Sequence, residues 1–105
     1  MEILTSKSLI NYYSKLFKQI LSLIGTESII VSGGGYKTDG GHVWNQVKIN
    51  DSWYNADISM QNFSIQNNLD YQTFLVCDNK CRYKSNSPFA HKCDKDFFEE
   101  KQYIC

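Results

Sequence analysis

A histidine and an aspartate near two tryptophans have the clearest capacity for chemistry in this sequence. His42 is the second residue of the run GHVWNQVKIN, and Asp57 closes the run DSWYNAD that follows. A carboxylate that accepts a hydrogen bond from one imidazole nitrogen holds the ring in one tautomer and makes the other nitrogen more basic. The two residues therefore suit a general base and the group that orients it, provided that the fold brings them together.

The segment around these two residues predicts a β-hairpin. Strand-like runs flank Asn50 and Asp51, which suit the positive φ angles of a two-residue turn. With that turn, Asp57 lies opposite Trp44, and His42 is its diagonal neighbour on the same face. A turn shifted by one residue separates the pair, so spacing alone leaves a structural hydrogen bond and a catalytic pair equally open.

The remaining pattern predicts an α+β domain with one amphipathic helix packed on an antiparallel sheet. Apolar residues from Leu9 to Ile24 recur at spacings of three and four, which indicates the helix. Thr5 or Ser6 can cap its start, and Gly25 can end it. A single domain over 1–105 is expected, with the helix at about 6–24, strands at about 27–31, 42–49, 52–57 and 71–77, a loop at 59–68 and an irregular segment at 78–105.

Composition argues against several classes of partner. Eleven basic and eleven acidic residues balance, so the chain lacks the field that attracts nucleic acid or anionic lipid. No apolar stretch approaches the ~20 residues of a spanning helix, and the N-terminus lacks the pattern of a secretory signal. We therefore expect neither nucleic acid nor a membrane as a partner, and a cytoplasmic rather than a secreted location. The oligomeric state is not indicated.

Four cysteines, Cys77, Cys81, Cys93 and Cys105, lie in the last third of the chain. Because the chain has residues enough for a core and no export signal, free thiols are expected, with two disulfides as the alternative. Cys77, Cys81, His91 and Cys93 form an alternative zinc site, but Cys-x3-Cys and His-x-Cys spacings are unusual for zinc. We therefore expect no metal and no cofactor.

The run GHVWNQVKINDSWYNAD resembles the core signature of the transglutaminase-like superfamily. In that family Gly-His-x-Trp-Asn opens a strand, and a tight turn, a Trp-Tyr pair and an Asp follow. The likeness extends to YYSKLFKQILSLIGTESIIVSG upstream and DYQTFLVCDNK downstream, so that it covers about residues 8–80. The resemblance implies a papain-like Cys-His-Asp fold that acts on amide bonds, with His42 as the base and Asp57 as its orienter.

The family's nucleophile is missing from the position that the resemblance gives it. Tyr13 corresponds to the Tyr of the family's Cys-x-Gly-Tyr helix motif, so Ile10 stands at the cysteine position and Tyr12 at the glycine position. A hydrocarbon side chain has no nucleophilic atom. Ser6 and Ser8 carry hydroxyls near the helix start, and helix capping explains them better.

Three functions follow from these observations. The first, which Ile10 favours, is an inactive transglutaminase-like domain that keeps a triad remnant and binds a protein or peptide. Its candidate cleft comprises Trp44, Asn45, Tyr12 and Tyr13. The second is an active acyl-transfer enzyme, a transamidase, deamidase or cysteine-protease-like hydrolase, whose nucleophile lies elsewhere or comes from a partner. The third is a metal-binding module built on the C-terminal Cys and His residues.

Overall fold

A computed structural model describes residues 6–35, 41–70, 72–81 and 83–98. Within them the chain is α+β, with two α-helices and one antiparallel sheet of five strands in the order β4-β3-β2-β1-β5. The elements are α1 (Ser6–Leu23), β1 (Ser28–Gly35), β2 (Gly41–Ile49), β3 (Ser52–Ala56), α2 (Ile58–Gln66), β4 (Phe74–Val76), a 3-10 helix (Asp78–Lys80) and β5 (Tyr83–Ser85). Tyr71 and residues 99–105, for which a strand start and an irregular end were predicted, lie outside the described residues.

The first helix has the predicted length, but only part of the predicted apolar stripe, Phe17 and Leu21, packs in the core. Ser14 and Leu21 of α1 are buried, whereas Leu16 and Ile20 of the predicted apolar stripe are 42% and 47% exposed. The reason is a close approach to β2, where the Asn45 side-chain amide donates to the Ser14 carbonyl at 2.9 Å. A small residue permits that approach, so the helix docks through the side that carries Ser14.

The helix ends as predicted. Gly25 has a φ of 80°, in the left-handed region that a glycine adopts without steric cost. The amide of Thr26 then donates to the Leu21 carbonyl at 2.8 Å, which closes the last turn.

The predicted hairpin register is the one observed. Asn50 and Asp51 have φ angles of 51° and 67°, as a two-residue turn of this type requires. Ile49 pairs with Ser52, and the pairing continues without interruption to Asn45 and Ala56.

The two faces of this hairpin have different surroundings, because successive side chains of a strand point to opposite sides. One face, called here the helix face, meets α1 and α2 and includes the buried core residues Val47, Tyr54 and Ala56. The other, called here the polar face, carries His42, Trp44, Gln46, Asn55 and Asp57, all of them buried.

A second helix replaces the predicted loop, so the expectation of one helix was wrong. Asp57 caps α2, because its side chain accepts a hydrogen bond from the backbone amide of Met60. Ser64 is the buried residue of this helix, and Phe63 and Ile65 are 49% and 67% exposed. The apolar residues of 58–66 therefore do not form one buried stripe, which is why their spacing did not predict a helix.

The C-terminal segment, residues 78–98, covers the polar face. Its strand β5 was not predicted, and it extends the sheet by pairing with the last residues of β1, where Gly33 lies opposite Ser85 and Gly35 opposite Tyr83. The strands approach so closely that a Cβ on Gly33 would lie 2.0 Å from the Lys84 carbonyl oxygen. A glycine is therefore required at that position.

Candidate functional site

His42 and Asp57 form a buried hydrogen-bonded pair on the polar face. The Nε2 atom of His42 lies 2.6 Å from Oδ2 of Asp57, and the two residues are only 4% and 6% exposed. The pair lies at the end of the hairpin away from its turn, where the register predicts diagonal neighbours. An arrangement of this kind fixes the imidazole tautomer, whether its purpose is chemical or structural.

Asp57 is held by several groups besides the imidazole. Its second carboxylate oxygen accepts hydrogen bonds from the Ser59 hydroxyl at 3.1 Å and the Met60 amide at 3.2 Å. Its backbone amide donates to the Thr73 carbonyl at 2.8 Å, and the Thr73 hydroxyl donates back to its carbonyl at 3.0 Å. The aspartate therefore connects β3, α2 and the residue that precedes β4, and it also orients His42.

Two aromatic rings enclose the imidazole. The Tyr83 ring stacks on His42 with a centroid distance of 4.1 Å and an interplanar angle of 25°, and Trp44 lies on the same face at 5.8 Å. Tyr83 reaches this position across β1, where Gly33 and Gly35 contribute no side chains. A substrate approaching His42 would have to displace the tyrosine or enter beside it.

The residues predicted to accompany the pair lie on different surfaces. Asn45 points to the helix face, where it is bonded to α1 and 1% exposed, while Trp44 is buried on the polar face. Tyr12 and Tyr13 are 56% and 36% exposed on α1. Ile10, the residue at the expected nucleophile position, is half-buried on the same helix. Strand alternation directs His42 away from the face on which that helix packs.

A network of amide and carboxylate groups continues the polar face beyond the pair. The Asn55 side-chain oxygen accepts from the Trp44 indole and the Gln46 amide, both at 3.1 Å. Gln46 also binds the backbone of His91 on both sides, accepting from its amide at 2.7 Å and donating to its carbonyl at 2.8 Å. The amide nitrogen of Asn55 donates to Asp78 at 2.7 Å. Two buried side chains of the hairpin thus fix a segment that has little regular structure.

A cavity of about 390 Å³ opens between the polar face and this segment. Its lining includes Trp44, Gln46, Asn55, Cys81 and Tyr83. Cavities of this size accommodate a side chain or a small ligand, and buried polar groups beside aromatic rings are typical of binding sites. Trp44 was predicted as a cleft residue and Cys81 only as part of the alternative zinc set, whereas Gln46, Asn55 and Tyr83 were not predicted. Gln46 and Asn55, two polar residues inside a strand pattern, were the available signal.

The cysteines differ from the expectation of free thiols. Cys77 is disulfide-bonded, so the prediction of a free thiol was wrong for this residue. Cys81 and Cys93 are free. Disulfides persist in oxidising compartments, so the compartment argument based on reduced thiols loses its support. Because Cys77 is bonded to sulfur, the four-residue zinc set cannot form. No group of three or more potential ligands able to hold a metal ion occurs within the part of the chain that the structure describes.

Neither free thiol is activated. Burial, together with the charges of Asp57 and Asp78, raises the pKa of the Cys81 thiol to about 12. Burial and Asp78 also raise the pKa of Cys93. Both groups are protonated at neutral pH, and a nucleophilic cysteine requires the opposite shift.

No protein-family model, curated protein or solved structure matches the chain. Among the described residues, no helix is long and apolar enough to cross a membrane.

Proposed function

We propose that this chain is a catalytically inactive transglutaminase-like domain that binds a peptide segment of a partner protein in the cavity beside the His42–Asp57 pair. The observation that carries this proposal is the Tyr83 ring, which stacks on His42 at 4.1 Å and closes the imidazole against an incoming amide. The family part of the proposal is supported by the signature around His42, and the inactive part by Ile10 at the position of the cysteine.

The hydrogen bonds of Asp57 support a structural role for the pair. A buried imidazole needs a partner, and the carboxylate that provides one also caps α2. Both functions contribute to folding without any reaction. A general base, in contrast, needs a nucleophile within hydrogen-bond reach, and Ile10 on α1 supplies none.

The cavity supports the binding part of the proposal. Its floor is built from side chains whose polar atoms are already hydrogen-bonded to one another, so it is held rigid before a ligand arrives. Its rim carries Ser85, Ser87 and two lysines, which offer hydrogen bonds to a peptide backbone. Tyr83 and Trp44 provide apolar surface for a side chain.

A capped Gln-Gly dipeptide tests catalysis and binding together. With hydroxylamine as acceptor, we expect no hydroxamate above the level of His42→Ala, while amide chemical shifts move for Trp44 and Cys81 on titration. Tyr83→Leu is expected to weaken binding about tenfold, corresponding to about 1.4 kcal/mol. Tyr12→Ala serves as the matched control, because the Tyr12 side chain is exposed on α1, and it should leave binding unchanged. A Tyr83→Leu variant that binds as tightly as wild type would place the ligand elsewhere.

Acyl transfer with a nucleophile other than Ile10 is the second candidate, and one observation favours it. Cys81 lines the cavity, and the Asp57 charge reaches its thiol. Hydroxamate formation that is abolished by both Cys81→Ser and His42→Ala would establish this activity and overturn the inactive assignment. The raised pKa of Cys81 leads us to expect neither result.

A further inference from the structure

The backbones of Cys81 and Cys93 are both hydrogen-bonded to one residue, Asp78. The amide of Cys81 donates to the Asp78 carbonyl at 3.1 Å, and the amide of Cys93 donates to the Asp78 carboxylate at 3.1 Å. The Asp78 amide donates in turn to the Cys93 carbonyl at 3.0 Å. Three hydrogen bonds thus fix the two cysteine backbones on either side of Asp78.

The two thiols differ in access. Cys81 is half-buried and lines the open cavity, whereas Cys93 is 3% exposed. The Cys93 sulfur lies 3.4 Å from the Gln46 side-chain nitrogen, and Gln46 lines the same cavity. A small reagent in the cavity therefore reaches Cys81 first, with Cys93 behind it.

We propose that Cys81 and Cys93 are a dithiol site that reacts with a low-molecular-weight disulfide, such as glutathione disulfide, and closes into a second disulfide. Cys77, which precedes Asp78, is already disulfide-bonded, so this part of the chain carries oxidised cysteine beside the free pair. The new bond covalently ties the end of the Asp78–Lys80 helix to the stretch that Gln46 binds at His91. This inference does not depend on the proposed peptide binding.

The reaction consists of two exchanges. Cys81 loses its proton to solvent and its sulfur attacks glutathione disulfide, whose S–S bond breaks and releases one glutathione thiolate. Cys93 then loses its proton and attacks the Cys81 sulfur of the mixed disulfide, releasing the second glutathione thiolate. The protein loses two electrons and two protons, and glutathione disulfide takes up both to become two glutathione thiols.

The electrostatics of the site predict how this closure depends on pH. Burial raises the pKa of both thiols, and the Asp78 carboxylate adds to the effect. The thiolate is the attacking species, so the rate of each exchange is expected to rise about tenfold per pH unit between about pH 7 and pH 8.5. The reduced pair is correspondingly slow to react near neutral pH.

Peptide mapping without reduction tests the proposal, because trypsin sites after Lys80, Arg82, Lys92 and Lys101 put each cysteine in a different peptide. The folded chain is treated with glutathione disulfide at about pH 8.5, quenched with iodoacetamide and digested. The expected product links the peptide of Cys81 to that of Cys93, and the intact mass falls by two hydrogen atoms. Cys93→Ser is expected to accumulate glutathione on Cys81, and Cys81→Ser to leave Cys93 unmodified.

Three outcomes overturn the proposal. In one, glutathione stays on Cys81 of the wild-type chain and no linked peptide forms. In another, the linked peptide joins Cys77 to Cys81. In the third, the Cys81–Cys93 peptide makes up no larger a share of the linked products in the folded chain than in the chain in urea, which would remove any role for the folded geometry. The wild-type comparison requires no variant to fold.

Discussion

Gly33→Ala places a methyl group where β5 lies against β1, and we expect it to destabilise the fold. A Cβ at this position would lie 2.0 Å from the Lys84 carbonyl oxygen and 2.8 Å from the Cα of Ser85. Both are backbone atoms, so the strand itself must move. At Gly34, the next residue, no atom lies within 4 Å of the corresponding position. The two alanine variants therefore differ in crowding but share the same loss of glycine freedom.

The expected magnitude follows from what the movement disrupts. A methyl group forced into a packed region costs about 1–3 kcal/mol, and a lost backbone hydrogen bond adds about 1 kcal/mol. We expect Gly33→Ala to lower the free energy of unfolding by about 2–4 kcal/mol by these two effects. Gly34→Ala should change it by about 0.5 kcal/mol or less, in the stabilising direction, through reduced unfolded-state entropy.

Urea denaturation followed by tryptophan fluorescence measures both variants. Because β5 carries Tyr83, Gly33→Ala should also shift the His42 ring resonances, while Gly34→Ala leaves them in place. Equal stability of the two variants, within about 1 kcal/mol, would refute the close approach of β5 to β1.

Three further predictions concern the hairpin and the thiols. Asp57→Ala removes the partner of His42 and the cap of α2, and urea denaturation should give a loss of about 2–4 kcal/mol; a loss below about 1 kcal/mol contradicts the structural role of the pair. Asn50→Val places a β-branched residue at positive φ and should cost about 1–2 kcal/mol, whereas Asn50→Gly should stay within about 0.5 kcal/mol of wild type. Folding raises the pKa of Cys81 and Cys93, so their contribution to the free energy of unfolding is complete below the thiol pKa of the unfolded chain. It is lost as the pH rises above about 9, by up to about 1.4 kcal/mol per pH unit for each thiol. In the double serine variant, the free energy of unfolding should not show this additional fall with pH.

The hairpin could be predicted because local chemistry determines it. Asn50 and Asp51 adopt positive φ more readily than other non-glycine residues, and once the turn is placed, the parity of every strand residue follows. His42 and Asp57 were therefore assigned to one face without knowledge of the rest of the fold. The helix α1 was predictable for a similar reason, since its period is a local property. Its buried side was not, because Ser14 faces β2 through a contact with a residue distant in sequence.

The covering of the polar face could not be predicted from spacing. Residues 86–98 contain no helix or strand. Gln46 binds this stretch through the His91 backbone, and Asp78, which accepts from Asn55, also accepts from the Cys93 amide. Such bonds produce no hydrophobic period. Tyr83 belongs to a three-residue strand whose pairing partner is a glycine run, and the stacking of its ring on His42 depends on the absence of side chains from that run. These contacts require the tertiary structure.

The position of Asp57 bears on how a His–Asp signature is interpreted. A carboxylate has about four acceptor positions, and three of them at Asp57 are occupied by His42, Ser59 and the Met60 amide. Substitution would therefore disrupt a strand end and a helix start even in a chain that performs no reaction. Selection for folding alone is therefore sufficient to keep such a pair, with or without a nucleophile beside it. The residues that distinguish a structural from a catalytic role of the pair are those that control access to the His42 imidazole. Tyr83 is therefore the residue on which a test of activity should concentrate.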